Sequence, residues 1–372
     1  MKKKLVFIGH IYHKKTNSAN FFLELLKSKY EVYHMIYDSK TKKISGDEAA
    51  YSEKFTVLVL YQEPAPVKLL KKKFDFEYGV YVPMYDGTGE ASDQFWLGYK
   101  EFNIINFSRT LHKRLFNMGL STHYIQYFPP NAPSMIRGKD DKAFFWQRRD
   151  NINIHTVCSL LEQTPVKKIH IHKAVDPGHH YIEPTKIQKK IYEFSYSSWY
   201  EKKEDMVKDI EDAGVYIAPR EYEGIGMSFL EAMAMGKCVI APDHPTLNEY
   251  IVHGVNGYLY DLNNVKPIEE LEIKKIQKNA YAFICKGYQQ WNKRKYYILK
   301  WLEEDPKIDK KRLKQMYKGK QMTGRHYLAG KILLIAQDGE TFRLFGIFKI
   351  SEDTVMRMKK VRDFICTGIK KR

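Results

Sequence analysis

Cysteine is scarce: four residues in 372, Cys158, Cys238, Cys285 and Cys366, stand far apart with no Cys-x-x-Cys among them. That spacing excludes a disulfide framework and suits a reducing cytoplasm. No run of 18 apolar residues occurs, so no membrane-spanning helix is expected. Met1-Lys2-Lys3-Lys4 resembles the start of a secretion signal, but the apolar run at 5–8 is too short and reads as a first strand. Gly-x-Gly-x-x-Gly is missing, and with it the dinucleotide fingerprint. His170, His172, His179 and His180 fall at neither zinc-finger nor His-Glu-x-x-His spacing, so no metal is expected. A disordered chain is excluded as well, because 44% of the residues are hydrophobic and 14% aromatic.

What is present fills two domains of ordinary size, each able to bury a core. A strand at 4–8, a polar loop beginning at Gly9, a helix started by 16–18 and a strand at 31–37 make a βαβ opening. Strands are predicted at 56–62, 78–84, 103–107 and 124–128, with helices at 67–73 and from Ser108 to near Gly119. The run 129–133, Pro-Pro-Asn-Ala-Pro, breaks regular structure and marks a stiff domain boundary. Beyond it, strands are predicted at 143–146, 168–173, 215–218 and 238–241, and helices ending at Leu161, at 203–211 and at 229–235. A helix-rich run follows at 268–302, with Ile276, Ala280, Ile284 and Tyr288 recurring every four residues.

The chemistry concentrates at 217–261. A strand feeds Glu223-Gly224-Ile225-Gly226, and the helix beyond stops at Gly236. Free amides and the positive end of a helix dipole make such a turn a place for phosphate or a sugar hydroxyl. Two carboxylates bracket it, Glu223 and Glu231. With a helix start near Ser228, Glu231 falls in the first turn and is positioned to accept from vicinal hydroxyls. Ser228-x-x-Glu231 is equally a capping box, which needs no ligand.

The order Glu223-x7-Glu231, Ala-Met-Ala-Met-Gly, a Val-Ile strand and a Glu249…Gly257 tail resembles the retaining nucleotide-sugar glycosyltransferases of family 4 over roughly 45 residues. These have the α/β GT-B fold, two Rossmann-like doubly wound domains facing a cleft. The resemblance implies an acceptor domain at 1–130, a donor domain at 131–268, helices returning to the first domain at 269–304, and a basic extension at 305–372. It implies transfer of a sugar from a nucleotide-diphosphate donor to a hydroxyl acceptor with retention, by front-side attack and with no protein nucleophile. Glu231 would hold the donor ribose. Glu223 and the backbone of Gly224, Ile225, Gly226 and Met227 would hold the sugar. Arg148 would offset the charge of the leaving diphosphate. Asn153 stands where the family has a lysine, so Arg149 or Lys173 would supply that cation. Gly9 would approach the diphosphate or the acceptor closely, with His10, His13, Asn17, Tyr85 and Asp86 on the acceptor side of the cleft. At the last pair the family often has His-Asp, so only the aspartate carries over, and Asp86-Gly87 is also an ordinary turn. Asp-x-Asp is absent, which argues against the metal-dependent glycosyltransferase fold. No cofactor is implied.

The net charge is +18, and from Asp305 onward 18 Lys/Arg face 7 Asp/Glu, so +11 of it lies in the last 68 residues. Localised charge of this kind suits an anionic membrane surface more than nucleic acid. Basic runs at 307–320 and 355–372, with a hairpin around Asp338-Gly339 between them, either bind lipid headgroups or cap the fold. A lipid-linked glycan acceptor in capsule or lipopolysaccharide assembly fits a cytoplasmic enzyme on the inner membrane face. The rivals are a nucleotide-sugar 2-epimerase of the same fold, for which no acid/base set is evident, and a non-enzymatic lipid or nucleic-acid binder.

Overall fold

Strands buried on both faces of a parallel sheet read as unbroken apolar runs, and Leu5–Ile8 and Val57–Leu60 are such runs, none of them exposed by more than 1%. They belong to β1 (Lys3–Gly9) and β4 (Lys54–Tyr61). The computed structural model describes residues 2–13, 17–200 and 202–313, together with three strands between 335 and 350. The chain divides into two units, 1–308 and 309–372.

Within the first unit, β1 and β4 are joined by β2 (Tyr30–Asp38), β3 (Lys43–Gly46), β5 (Asp75–Val82), β6 (Asn103–Asn106) and β7 (Thr122–Tyr124) in the order β3-β2-β1-β4-β5-β6-β7. Only the edge pair β2/β3 is antiparallel. Helices α1 (Asn20–Lys27), α2 (Val67–Lys73) and α3 (Arg109–Met118) lie among the crossovers. A second sheet, all parallel, contains β8 (Lys139–Trp146), β9 (Lys168–His172), β10 (Glu193–Ser197), β11 (Ala213–Ile217), β12 (Cys238–Pro242) and β13 (Tyr258–Tyr260) in the order β10-β9-β8-β11-β12-β13. Its helices are α4 (Ile154–Leu161), α5 (Lys203–Asp212) and α6 (Met227–Met235). In each sheet the strand order reverses once, between β1 and β4 and between β8 and β11. Crevices at such reversals, outside the carboxyl ends of the strands, are where ligands bind in this class of sheet.

The chain then returns from the second sheet to the first through α7 (Ile273–Arg294) and α8 (Tyr296–Trp301). Ile276, Ala280, Ile284 and Trp291 are buried along one stripe of α7. Trp291 at its far end meets Tyr127, Phe21 and Phe107 with ring centroids 5.1, 5.9 and 6.4 Å away. Just past α8, Glu303 receives Lys29 at 2.8 Å and the Tyr30 hydroxyl at 2.6 Å, which fastens the end of this unit to β2.

Several elements differ from the sequence reading. The strands β3, β10 and β13 are unanticipated: all three are short edge strands, and Lys-Ile-Ser-Gly or Glu-Phe-Ser-Tyr-Ser carries no clear apolar signal. The strand expected at 124–128 ends at Tyr124, because Tyr127 and Phe128 leave the sheet to pack under α7, where Phe128 lies against Gly287. Helix α1 starts at Asn20 instead of 16–18. Residues 85–88 form one helical turn, so Asp86-Gly87 does not make the ordinary turn that was the alternative.

The second unit contains β14 (Ile335–Asp338), β15 (Thr341–Leu344) and β16 (Phe348–Ile350) as an antiparallel sheet. β14 and β15 pair up to Asp338 opposite Thr341, the hairpin expected there. The basic residues at 314–320 and 355–372 lie outside the described residues, as does Cys366. Among the described residues no helix is long and apolar enough to cross a membrane.

Candidate active site

The reversal between β8 and β11 sets two loops side by side. One follows Trp146 and carries Gln147, Arg148 and Arg149; the other follows Ile217 and carries Arg220 through Gly226. Helix α6 begins at Met227, after Gly226 in the left-handed region at φ 80°. A side chain at Gly226 would also run into the ring of Phe229, so the bend tolerates no other residue cheaply. No side chain caps α6. Ser228 lies inside the helix and Glu231 in its second turn, so the capping-box alternative fails.

Three arginines and three carboxylates meet at these loops. Asp176 accepts from Arg148 Nε at 2.9 Å and Nη2 at 2.8 Å, and lies 3.6 Å from Arg149 Nε. The Arg148 guanidinium also sits 4.8 Å over the ring of Trp146, which fixes its plane. Arg220 Nη1 lies 3.2 Å from Asp86 and 3.7 Å from Glu223. Burial works against the charge on Arg220, but Glu223, Asp86 and Asp176 outweigh it and hold its pKa above the ordinary guanidinium value. Glu223 is 8% exposed. Burial pushes its pKa up to about 7; Asp86 adds to the rise, and Arg220, Arg148 and Arg149 restrain it. Glu231 is half-buried, and its charge is felt by the buried hydroxyls of Tyr127 and Tyr216.

The two sheets touch at this point. A Cβ on Gly224 would come within 2.8 Å of Met84 Cβ and 3.0 Å of Asp86, so only glycine allows the approach. Tyr85 and Tyr222 stack at 6.4 Å, and the Tyr85 hydroxyl donates to Glu90 at 2.8 Å. Further along the seam, Glu249 caps α3: its carboxylate accepts from Ser108 Oγ at 2.9 Å and from the Arg109 and Thr110 amides at 2.6 and 2.9 Å. A second-sheet carboxylate thus sits on the dipole of a first-sheet helix.

The expected residues therefore separate into two groups. Glu223, Gly224, Arg148, Arg149 and Asp86 come together. Ile225 is 5% exposed with its side chain in the core, so it offers backbone only, and Met227 is partly buried against the same core. Lys173 turns away: it reaches Glu183 at 3.2 Å and lies between the rings of Tyr181 and Tyr196 at 4.4 and 4.1 Å. Of the two cations considered for the place of Asn153, Arg149 is the one beside Glu223; Asn153 itself caps α4 through the His155 amide.

On the opposite wall, Gly9 ends β1 between two rings: a Cβ there would come within 3.0 Å of Phe7 and 3.5 Å of His13. His13 contacts Ser18 at 2.9 Å, and burial, helped by His10, lowers its pKa to about 4, so it is neutral. His10 accepts from the Tyr12 amide at 3.2 Å and stands 4.0 Å from Glu63. Asn17 is exposed at φ 54°, where its carbonyl accepts from the Asn20 amide at the start of α1.

His170 and His172 are buried on the second sheet and hydrogen bonded to Ser195 and Ser197, while His179 and His180 flank Asp150. Among the described residues no three His, Cys, Asp or Glu converge as metal ligands. Sequence reasoning passed over Arg220, Asp176 and the capping role of Glu249. Arg220 alone carried a signal, as a cation directly between a buried strand and the glycine bend.

Residues 179–296 match the family model described as glycosyl transferases group 1. No curated protein matches the chain. Among solved structures, sucrose-phosphate synthase from Thermosynechococcus elongatus is similar at a TM-score of 0.56 and 11% identity, over 80% of this chain and 100% of that one. The lipopolysaccharide outer core galactosyltransferase WaaB, in its apo form, gives 0.51 and 13% over 78% and 99%. TarM gives 0.49 and 14% over 72% of this chain, which spans 61% of that protein's length. The chain has the two-sheet GT-B fold of the synthase and the galactosyltransferase, and its part from 179 to 296, which holds β10 to β13 and α7, resembles the group 1 glycosyl transferases.

Proposed function

We propose that the protein is a retaining glycosyltransferase of the family 4 kind, moving a sugar from a nucleoside-diphosphate donor to a hydroxyl acceptor. The observation that carries this reading is the meeting of Arg148, Arg149, Arg220 and Glu223 at the strand reversal of the second sheet, beside an uncapped helix end and against Asp86 of the first sheet. Arg148 and Arg149 offset charge as it builds on the departing diphosphate, where fixed cations in a buried site act most strongly. Glu231 holds the ribose, and Glu223 with the amides of 224–227 holds the sugar. The acceptor hydroxyl attacks from the face that the diphosphate leaves, and the leaving phosphate takes its proton, so no side-chain nucleophile is required. His10, His13, Asn17 and Tyr85 line the acceptor side. The acceptor is a surface glycan under assembly, lipid-linked at the inner membrane face and approached through the basic extension.

Incubation with a panel of nucleoside-diphosphate sugars tests the reaction. Free nucleotide formed only with an acceptor present supports transfer. An altered sugar still on its nucleotide indicates an epimerase, and no change leaves a binding protein. Flotation with anionic vesicles, with and without residues 309–372, tests the membrane part; equal binding by both forms removes the extension from it.

A further inference from the structure

Arg220 is the cation that neither the sequence reading nor the diphosphate assignment uses. It stands in the loop after β11, three residues before Glu223, and its side chain is only 14% exposed. A buried guanidinium is tolerated where carboxylates surround it, and Arg220 has one from each sheet: Asp86 from the helical turn after β5, and Glu223 from its own loop. Its Nε, like Asp86 Oδ1, is buried and makes no hydrogen bond within the described residues. The pairing is therefore incomplete, with one donor and one acceptor held ready on either side of the bridge.

Every charged group around Glu223 has a sign that can be assigned. Arg220 faces it from the same loop, Arg148 and Arg149 from the loop after β8, Asp86 from the opposite sheet, and the Tyr216 hydroxyl from β11. Arg148 and Arg149 are already shared with Asp176. Among the described residues, Arg220 is the cation that links Glu223 to the far wall. A carboxyl meant to accept from sugar hydroxyls must be kept as an acceptor, and a cation 3.7 Å away favours its ionised form.

We infer that Arg220 is a positioning residue for the donor site: bridged across the cleft to Asp86, it holds the Glu223 carboxyl as an acceptor for the hydroxyls of the bound sugar. This rests on the glycosyl-transfer reading for the identity of the ligand, but not for the coupling itself.

The test is a titration of Glu223 without any sugar nucleotide, by carbon-13 NMR of full-length protein labelled at the glutamate carboxyl carbon. The resonance is assigned by its loss in Glu223→Gln. Arg220→Gln should move the midpoint to higher pH by about one unit, and Asp86→Asn should move it to lower pH. Arg220→Lys, which keeps the charge, should stay near the parent value and serves if the glutamine variant does not fold. In protein that binds donor, Arg220→Gln should also shift the pH dependence of affinity in the same direction as the titration. A purely structural Arg220 would lower affinity at all pH values alike, and midpoints that do not move, or that move together, overturn the inference. A protein that binds no sugar nucleotide yet shows the opposed shifts would remove the glycosyl-transfer reading and leave the coupling standing.

Discussion

The two walls of the cleft are built from the same kind of sheet and use different chemistry. The second-sheet wall carries Arg148, Arg149, Arg220, Asp176 and Glu223, charged groups locked to one another at salt-bridge distance. The first-sheet wall carries His10, a neutral His13, Asn17 and Tyr85, with Glu63 near His10, Glu90 on the Tyr85 hydroxyl and Asp86 paired with Arg220. A site for an activated phosphate must counter a fixed charge, so its residue types are constrained. A site for hydroxyls can be assembled from many combinations of polar and aromatic groups. The second-sheet wall is therefore the one that sequence can announce; on the function proposed above, acceptor choice is left to the first-sheet wall.

Removing charge from the second wall should have the largest effect. Arg148→Ala should lower kcat/KM on the order of 10²–10³, as loss of one preorganised donor at a developing charge does. The same change at His10 should leave donor affinity untouched and alter only the acceptor KM. Equal losses at both positions, measured by steady-state kinetics, would break the distinction between the walls.

Glu223 gives the next effect, in stability. Its folded pKa of about 7 stands above the ordinary 4.5, so the native state holds the proton more tightly than the unfolded chain. Stability contributed by that protonated form is present below about pH 4.5 and lost as pH rises through about 7, a change of about 3 kcal/mol at most. Urea denaturation across this range should show Glu223→Gln with a flatter dependence than the parent. Parallel curves would mean that Glu223 is already ionised near pH 5.

Glu231→Gln should weaken nucleoside-diphosphate binding by about 10-fold, the scale of a hydrogen bond to a charged group. Because Ser228 and Glu231 form no capping box, no helix cap is lost in the variant, and its shift in urea midpoint should be small beside the loss of affinity. The smallest effect belongs to the seam. Glu249→Gln weakens the cap on α3 and should cost about 1 kcal/mol of stability, with donor affinity unchanged in calorimetry.

The parts that were legible follow from local physics. Buried parallel strands such as β1, β4 and β12 announce themselves as apolar runs, and Gly226 and Gly236 bracket α6 because both stand at positive φ. Edge strands β3 and β10 were hidden because one side of such a strand faces solvent and its composition is mixed. The pairing of Arg148 with Asp176 spans 28 residues and two strands, and the meeting of Asp86 with Arg220 spans both sheets. Nothing periodic in the chain encodes either. Ser228 misled for a simpler reason: Gly226 can itself take the position before the helix, which moves the start one residue earlier and Glu231 into the second turn.

Calorimetric titration of the parent and Arg148→Ala with a panel of nucleoside diphosphates tests the central claim most directly. The account predicts that at least one diphosphate binds the parent, more tightly than its nucleoside, and that the variant loses most of that difference. Binding of none, or binding that is indifferent to both the diphosphate and Arg148, would contradict it.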